Sequence, residues 1–209
     1  MKKFNKTQLI ITSVVILLPI IAGLIMWNDL PDIIATHWGA DNQPNGFSSK
    51  AFAVFGIPAI ILALHLLCVL GTSFDKRREN HNKKMLSLIL WICPIISLLC
   101  MSLTYTYALG ADVNIGFYIL LFMGVLFIVM GNYLPKCRPN QTIGIKLPWT
   151  LNNDVVWNKT HRMAGPIWIL GGIIITITAF LTNPWIVFGV IILMIVLPTV
   201  YAYIQHKKQ

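Results

Sequence analysis

The chain has 209 residues, of which 56% are hydrophobic and only 11% charged, and its net charge is +9. A soluble globular domain is about a quarter charged, so composition excludes an ordinary water-soluble core and asks instead how often the chain crosses a bilayer. In a soluble protein the basic excess would suggest nucleic-acid binding; here Lys and Arg lie between apolar stretches, where they set membrane orientation, and no direct nucleic-acid contact is expected.

A bilayer core needs about 20 apolar residues of helix. Six stretches meet or approach that length: Gln8 to Trp27, Ala51 to Thr72, Met85 to Leu109, Gly116 to Leu134, Ala164 to Leu181 and Trp185 to Ile204. None contains Asp, Glu, Lys or Arg. The first begins after basic residues but ends without a small-x-small cleavage site, so it reads as a signal anchor. The last two are separated only by Thr182, Asn183 and Pro184, a strong turn signal. Trp27, Trp91, Trp168 and Trp185 lie near span ends, where indoles anchor at the interface. Pro19, Pro58, Pro94 and Pro198 fall inside spans, where neighbouring helices satisfy the freed backbone. Gly116, Gly124 and Gly131 recur on one side of the fourth helix and predict close helix packing.

The connections carry the charge. Lys2, Lys3 and Lys6 precede the first span, and Lys76, Arg77, Arg78, Lys83 and Lys84 separate the second from the third. Lys136, Arg138, Lys146, Lys159 and Arg162 separate the fourth from the fifth, and Lys207 and Lys208 follow the sixth. Alternation over six spans puts all these segments on one face; the other holds Asp29, Asp32, Asp41 and Asp112 with only Lys50. The positive-inside rule then predicts an all-α, six-helix membrane protein with both termini in the cytoplasm. The expected division is residues 1–84, a two-span region with an outer His-Trp loop, and residues 85–209, a four-span region with a long inner loop.

Familiar chemistry is missing from the motifs. There is no Walker A loop, H-E-x-x-H or G-x-S-x-G, and His65 is the single ionisable residue of the His, Asp, Glu, Lys and Arg types inside a predicted span. It reads either as a proton site or as a histidine bonded to a neighbouring helix. Cys68, Cys93, Cys100 and Cys137 form no C-x-x-C pair and lie near no zinc-spaced histidine, so they read as reduced thiols, and no metal or cofactor is expected.

Two connections are longer than spanning requires, and long ordered loops are disproportionately functional. The outer one contains Leu30-Pro31, His37-Trp38-Gly39 and Pro44-Asn45-Gly46-Phe47. His37 and Trp38 read either as contacts for an external ligand or as part of a loop held to the membrane by its aromatics. In the inner one, Asn152 or Asn153 is a good helix N-cap with Asp154 in the first turn. Trp157 and His161 then share a face, as do Asn158 and Arg162; such a surface holds an acidic peptide or lipid phosphate, or grips anionic headgroups.

The segment Gly131 to Gly165 resembles the signature of the SdpI (SdpI/YfhL-like) family of bacterial toxin-immunity membrane proteins. The residues that carry it are Gly131-Asn132, Pro139-Asn140, Gly144-Ile145, Pro148-Trp149-Thr150-Leu151, Trp157 and Thr160-His161-Arg162. The outer segment from Leu30-Pro31 through His37-Trp38 and Gly46 resembles the domain of unknown function that often precedes that signature. The resemblance implies a non-enzymatic plasma-membrane protein that protects its cell from a secreted peptide toxin. It also implies signalling through a cytoplasmic transcriptional repressor held at the membrane. Toxin contact is expected at His37 and Trp38. The inner motif of Asn132, Asn140, Gly144, Pro148, Trp149, Thr150, Trp157, His161 and Arg162 is expected to couple to a partner or lock the fold. Membrane lipids are further partners. The competing expectations are a small-molecule or lipid transporter, and a membrane enzyme at the inner face with His161 as acid or base.

Overall fold

The computed structural model describes residues 4–81, 83–181 and 183–208; of the residues used above, Lys2, Lys3 and Thr182 lie outside this set. Six of its helices are long and apolar enough to cross a membrane: α1 (Lys6–Ile25), α2 (Ile57–Ser73, entered through a π-helical turn at Phe52–Gly56), α3 (Lys83–Ala108), α4 (Ile115–Tyr133), α6 (Asp154–Thr178) and α7 (Pro184–Lys207). A short helix, α5 (Pro148–Leu151), precedes α6. A two-stranded antiparallel sheet, β1 (Ile33–Trp38) with β2 (Pro44–Ser49), occupies the first long loop. Large apolar side chains such as Ile25, Leu67, Leu170 and Phe188 stay exposed along the helices, as lipid-facing surfaces do.

The chain forms two compact units, interleaved in sequence. One comprises residues 2–73 and 82–115, and the other residues 74–81 and 116–209.

In the first unit α1, α2 and α3 surround a core of Leu30, Ile34, Ala53, Val54, Met101 and Tyr105. Asn5 starts α1 by accepting the Thr7 and Gln8 amides at 2.9 and 3.3 Å. The helix continues through Pro19, with polar groups of α3 reaching the turns around it: Ser97 Oγ donates to the Ile16 carbonyl at 2.8 Å and Tyr105 Oη to the Pro19 carbonyl at 3.0 Å. A Cβ on Gly23 would lie 2.6 Å from that Tyr105 hydroxyl, so glycine permits the approach. His65 is fully buried, with Nε2 3.2 Å from Thr12 Oγ1 on α1. This is the interhelical hydrogen bond that one reading of His65 anticipated.

In the second unit α4 crosses α6 at paired glycines. A Cβ on Gly124 would sit 2.7 Å from the Gly172 carbonyl, and one on Gly131 2.8 Å from the Gly165 carbonyl. The glycine spacing on α4 therefore marks a helix contact, with backbones too close for any side chain. Ile175, Val187 and Met194 join α6 to α7, and Asn183 caps α7 through the Trp185 amide at 3.0 Å.

Candidate functional site: a surface hairpin and a buried loop clasp

The hairpin arises from β-branched residues at Ile33, Ile34 and Thr36 and a turn that closes through Gly39 N to Gln43 O at 2.8 Å. Asn42 takes the left-handed conformation there, at φ 61°. The sequence places only a turn-rich loop here, since Pro, Gly and Asn make turns. Gly46 is required by the pairing: a Cβ there would lie 2.8 Å from His37 Cβ on the paired strand.

The pairing is irregular here, with register shifts on both sides of His37 that re-aim its side chain, and the two expected contacts end in different surroundings. His37 is exposed and its Nδ1 lies 2.5 Å from Asn45 Oδ1. Trp38 turns inward onto Tyr107 of α3, ring centroids 5.5 Å apart, edge to face. Its indole nitrogen is enclosed without a hydrogen-bond partner in the protein. Lys50 anchors the base of the hairpin. Its ammonium lies 3.1 Å from the Trp27 carbonyl, 3.3 Å from Asp32 and 5.4 Å from the Trp27 ring.

In the second unit the inner motif forms a folded clasp. Asn153 is the N-cap of α6, accepting the Val155 and Val156 amides at 2.9 and 3.1 Å, as its sequence position predicts. Beyond it the expected gripping face is overturned for two residues. Trp157 and His161 do share a face, but both are buried, with rings stacked at 4.1 Å. Trp157 Nε1 donates to the Cys137 carbonyl at 2.8 Å. The Ile145 amide donates to His161 Nε2 at 2.9 Å, so that nitrogen carries no proton, and Nδ1–H donates to the Trp157 carbonyl at 2.8 Å. With both ring nitrogens committed to backbone, His161 holds a loop in place. Asn158 and Arg162, on the other side of the helix, are exposed.

The loop that lies on this face is shaped by small polar residues. The Asn140 carboxamide is buried; Oδ1 accepts the Ile143 and Thr142 amides at 2.6 and 2.9 Å, and Nδ2 donates to the Arg138 and Ile143 carbonyls, both at 2.9 Å. Gly144 has φ +121°, a conformation side chains avoid, and a Cβ there would meet the Trp157 ring at 3.1 Å and His161 Nε2 closer still. Thr150, fully buried, accepts the Leu147 amide and donates back to the Ile145 carbonyl, both at 2.8 Å. Pro148 opens α5, where its missing N–H costs nothing. Trp149 packs on Tyr203 and His206 of α7, at 5.6 and 6.4 Å between centroids. Asn132 is exposed and accepts from Lys136 Nζ at 3.2 Å. Cys137 is buried, and burial pushes its thiol up to about 11, which keeps it unreactive near neutral pH.

Sequence reasoning missed the carboxylate and imidazole that tie the 74–81 segment to this clasp. Asp75 and His81 are buried. Asp75 Oδ2 accepts from His81 Nε2 at 3.0 Å, the Gln141 amide at 2.9 Å and Thr142 Oγ1 at 2.8 Å, while Oδ1 accepts the Arg77 amide at 2.8 Å. Burial opposes ionisation of this carboxyl, but those donors outweigh it and hold it below its ordinary range. Asn80 donates to the Pro139 carbonyl at 2.5 Å, and Arg77 pairs with Asp154 at 2.8 Å on the surface. The available signal was an acid standing alone before three successive cations, Asp75-Lys76-Arg77-Arg78. These contacts join residues 75–80 of the connection after α2 to the connection after α4 within one unit. Among the described residues no group of His, Cys, Asp and Glu is placed to hold a metal.

Comparison with known proteins agrees with the inner motif. Residues 136–202 match the model of the SdpI/YfhL protein family, and residues 14–62 match a domain of unknown function, DUF1648. The chain is 29% identical over 202 residues to the protein named Immunity protein SdpI of Bacillus subtilis (strain 168), covering 95% of this chain and 96% of that relative. No solved structure matches. The resemblance to the SdpI family, with its N-terminal companion domain, therefore holds, and the chain is a multi-pass protein of the bacterial plasma membrane.

Proposed function

We propose that this chain is a non-enzymatic immunity protein that protects its own cell from a secreted antimicrobial peptide at the plasma membrane. The observation that carries the reading is similarity to an immunity protein over nearly the whole of both chains. The geometry of His161 supports the non-enzymatic part, since neither ring nitrogen is free to take or give a proton at a substrate. The basic segments joined through Asp75 and Arg77 face the cytoplasm with both termini, and the hairpin faces outward. Toxin is met at the hairpin, where His37 is presented and Trp38 seats the strand on α3. The exposed Arg162 and Asn158, on the rigid platform made by Trp157 and His161, receive a cytoplasmic partner such as a transcriptional repressor. The 1–84 and 85–209 division then describes toxin-facing and signalling parts of the sequence, while the packing units are the interleaved ones above.

The test is survival of a toxin-sensitive Gram-positive strain expressing the chain and challenged with a secreted peptide toxin of its class, with membrane potential recorded. Maintained growth and potential support immunity; collapse of both, with the protein verified in the membrane, removes it.

A further inference from the structure

The hairpin carries the chemistry of a docking edge. Lys50 N donates to the Asp32 carbonyl at 2.8 Å, so the main-chain groups of Lys50 point across the ladder. Alternation along an antiparallel pair then turns those of Ser48 across as well, and those of Ser49 and Phe47 away from β1. No strand among the described residues pairs on that outer edge. An unpaired edge is a template for another strand.

Two further features state what that strand must be. Ile33, across from Ser49, and Phe47, across from Ala35, lie on one face of the hairpin with 67% and 60% of their surfaces exposed. The same part of the chain carries exposed carboxylates at Asp29 and Asp32, just before β1, and at Asp41, in the turn between the strands, and Asp112 follows five residues after Tyr107, which itself packs on Trp38. The single ammonium in this region, Lys50, is only 13% exposed and already bonded to Asp32 and the Trp27 carbonyl. In a chain of net charge +9 this surface is acidic.

We propose that the outer edge of β2 binds an extended, cationic, apolar peptide as a third strand. Main-chain bonds to Phe47 and Ser49 supply register, Ile33 and Phe47 supply apolar contact, and the carboxylates select positive charge. The proposal rests on the immunity reading only for the identity of the natural peptide, since the binding itself is a property of the hairpin.

The experiment uses the full chain in nanodiscs of zwitterionic phosphatidylcholine, with empty discs as reference. It is titrated with short synthetic peptides of alternating Lys and Val, the same peptide methylated at two adjacent central main-chain nitrogens (which blocks both of its edges), and a Glu-Val counterpart. The Lys-Val peptide is expected to bind and to protect the Phe47 and Ser49 amides, but not Ser48, from hydrogen exchange. Methylation should weaken it by about tenfold, and the combined D29N, D32N and D41N variant should weaken it by about fivefold at low salt. Lack of binding by the Lys-Val peptide, equal binding of the methylated one, or equal binding of Glu-Val overturns the proposal. If Ile33 and Phe47 merely dip into headgroups, the peptides are not discriminated and the proposal falls. Cells that resist toxin while the discs bind no peptide leave immunity standing and remove the edge. Discs that bind peptide in a chain that gives no protection do the reverse.

Discussion

The two long connections of this protein use similar residues for opposite ends. Each contains a histidine and tryptophan at short spacing, a glycine at a close approach and several asparagines. In the hairpin the ladder shifts register around His37, and the imidazole is left exposed while the indole is seated on Tyr107. In the clasp, helical spacing puts Trp157 and His161 on one face, where both disappear beneath the 137–145 loop. An irregular ladder re-aims neighbouring side chains, whereas the 3.6-residue period of a helix unites residues four apart. Aromatic and imidazole content thus says little about exposure until the element is known.

The contrast is broken most severely at Gly144. Gly144→Val adds atoms where Trp157 and His161 already stand and forces a β-branched residue to φ +121°. A loss of roughly 3 kcal/mol or outright failure to accumulate is expected, read from thermal unfolding in micelles and from membrane levels. Normal levels and an unchanged Tm would remove the tight approach of that loop.

Asp75→Asn comes next, at about 2 kcal/mol, because a buried carboxylate serving four donors is replaced by a group that accepts fewer. Its pH signature has a definite sign. The folded carboxyl is held below its ordinary range, so its contribution is complete above the unfolded value of about 4 and is lost as pH falls through the folded value. The wild-type chain should lose stability through that acid window more steeply than D75N. Parallel curves would show that the carboxylate is not the buried tie.

Trp157→Phe keeps the stack on His161 but leaves the Cys137 carbonyl without its indole donor. A cost of about 1 kcal/mol is expected, with the loss visible as faster hydrogen exchange in the 137–145 loop. Unaltered exchange would mean that the indole bond does not hold the loop.

The smallest structural effect belongs to the hairpin. His37→Ala should change stability by under about 0.5 kcal/mol, as exposed substitutions do, yet reduce protection against toxin. Wild-type survival at normal membrane levels would take His37 out of recognition and leave the comparison purely structural.

Much of this was legible in the chain itself. Six runs without charge define six helices because burying backbone in hydrocarbon leaves few other solutions. The glycine spacing on α4 announced a close helix contact, though not its partner, and Asn152 or Asn153 before Asp154 announced the start of α6. The inner motif was legible as a pattern, but its physical role was not. Gly144 and His161 are seventeen positions apart, and only folding shows that one makes room for the other.

What the sequence by itself determined is therefore the number of crossings and the segregation of basic and acidic loops, both consequences of local composition acting against a bilayer. The tertiary structure alone decided that residues 33–49 pair into a hairpin despite Pro44 and Gly46. It also decided that Asp75 and His81 leave a solvated-looking basic loop to be buried against Thr142 and Gln141. Strand pairing and burial of a charge depend on partners distant in the chain, and the free energy of a buried carboxylate is set by the donors that converge on it.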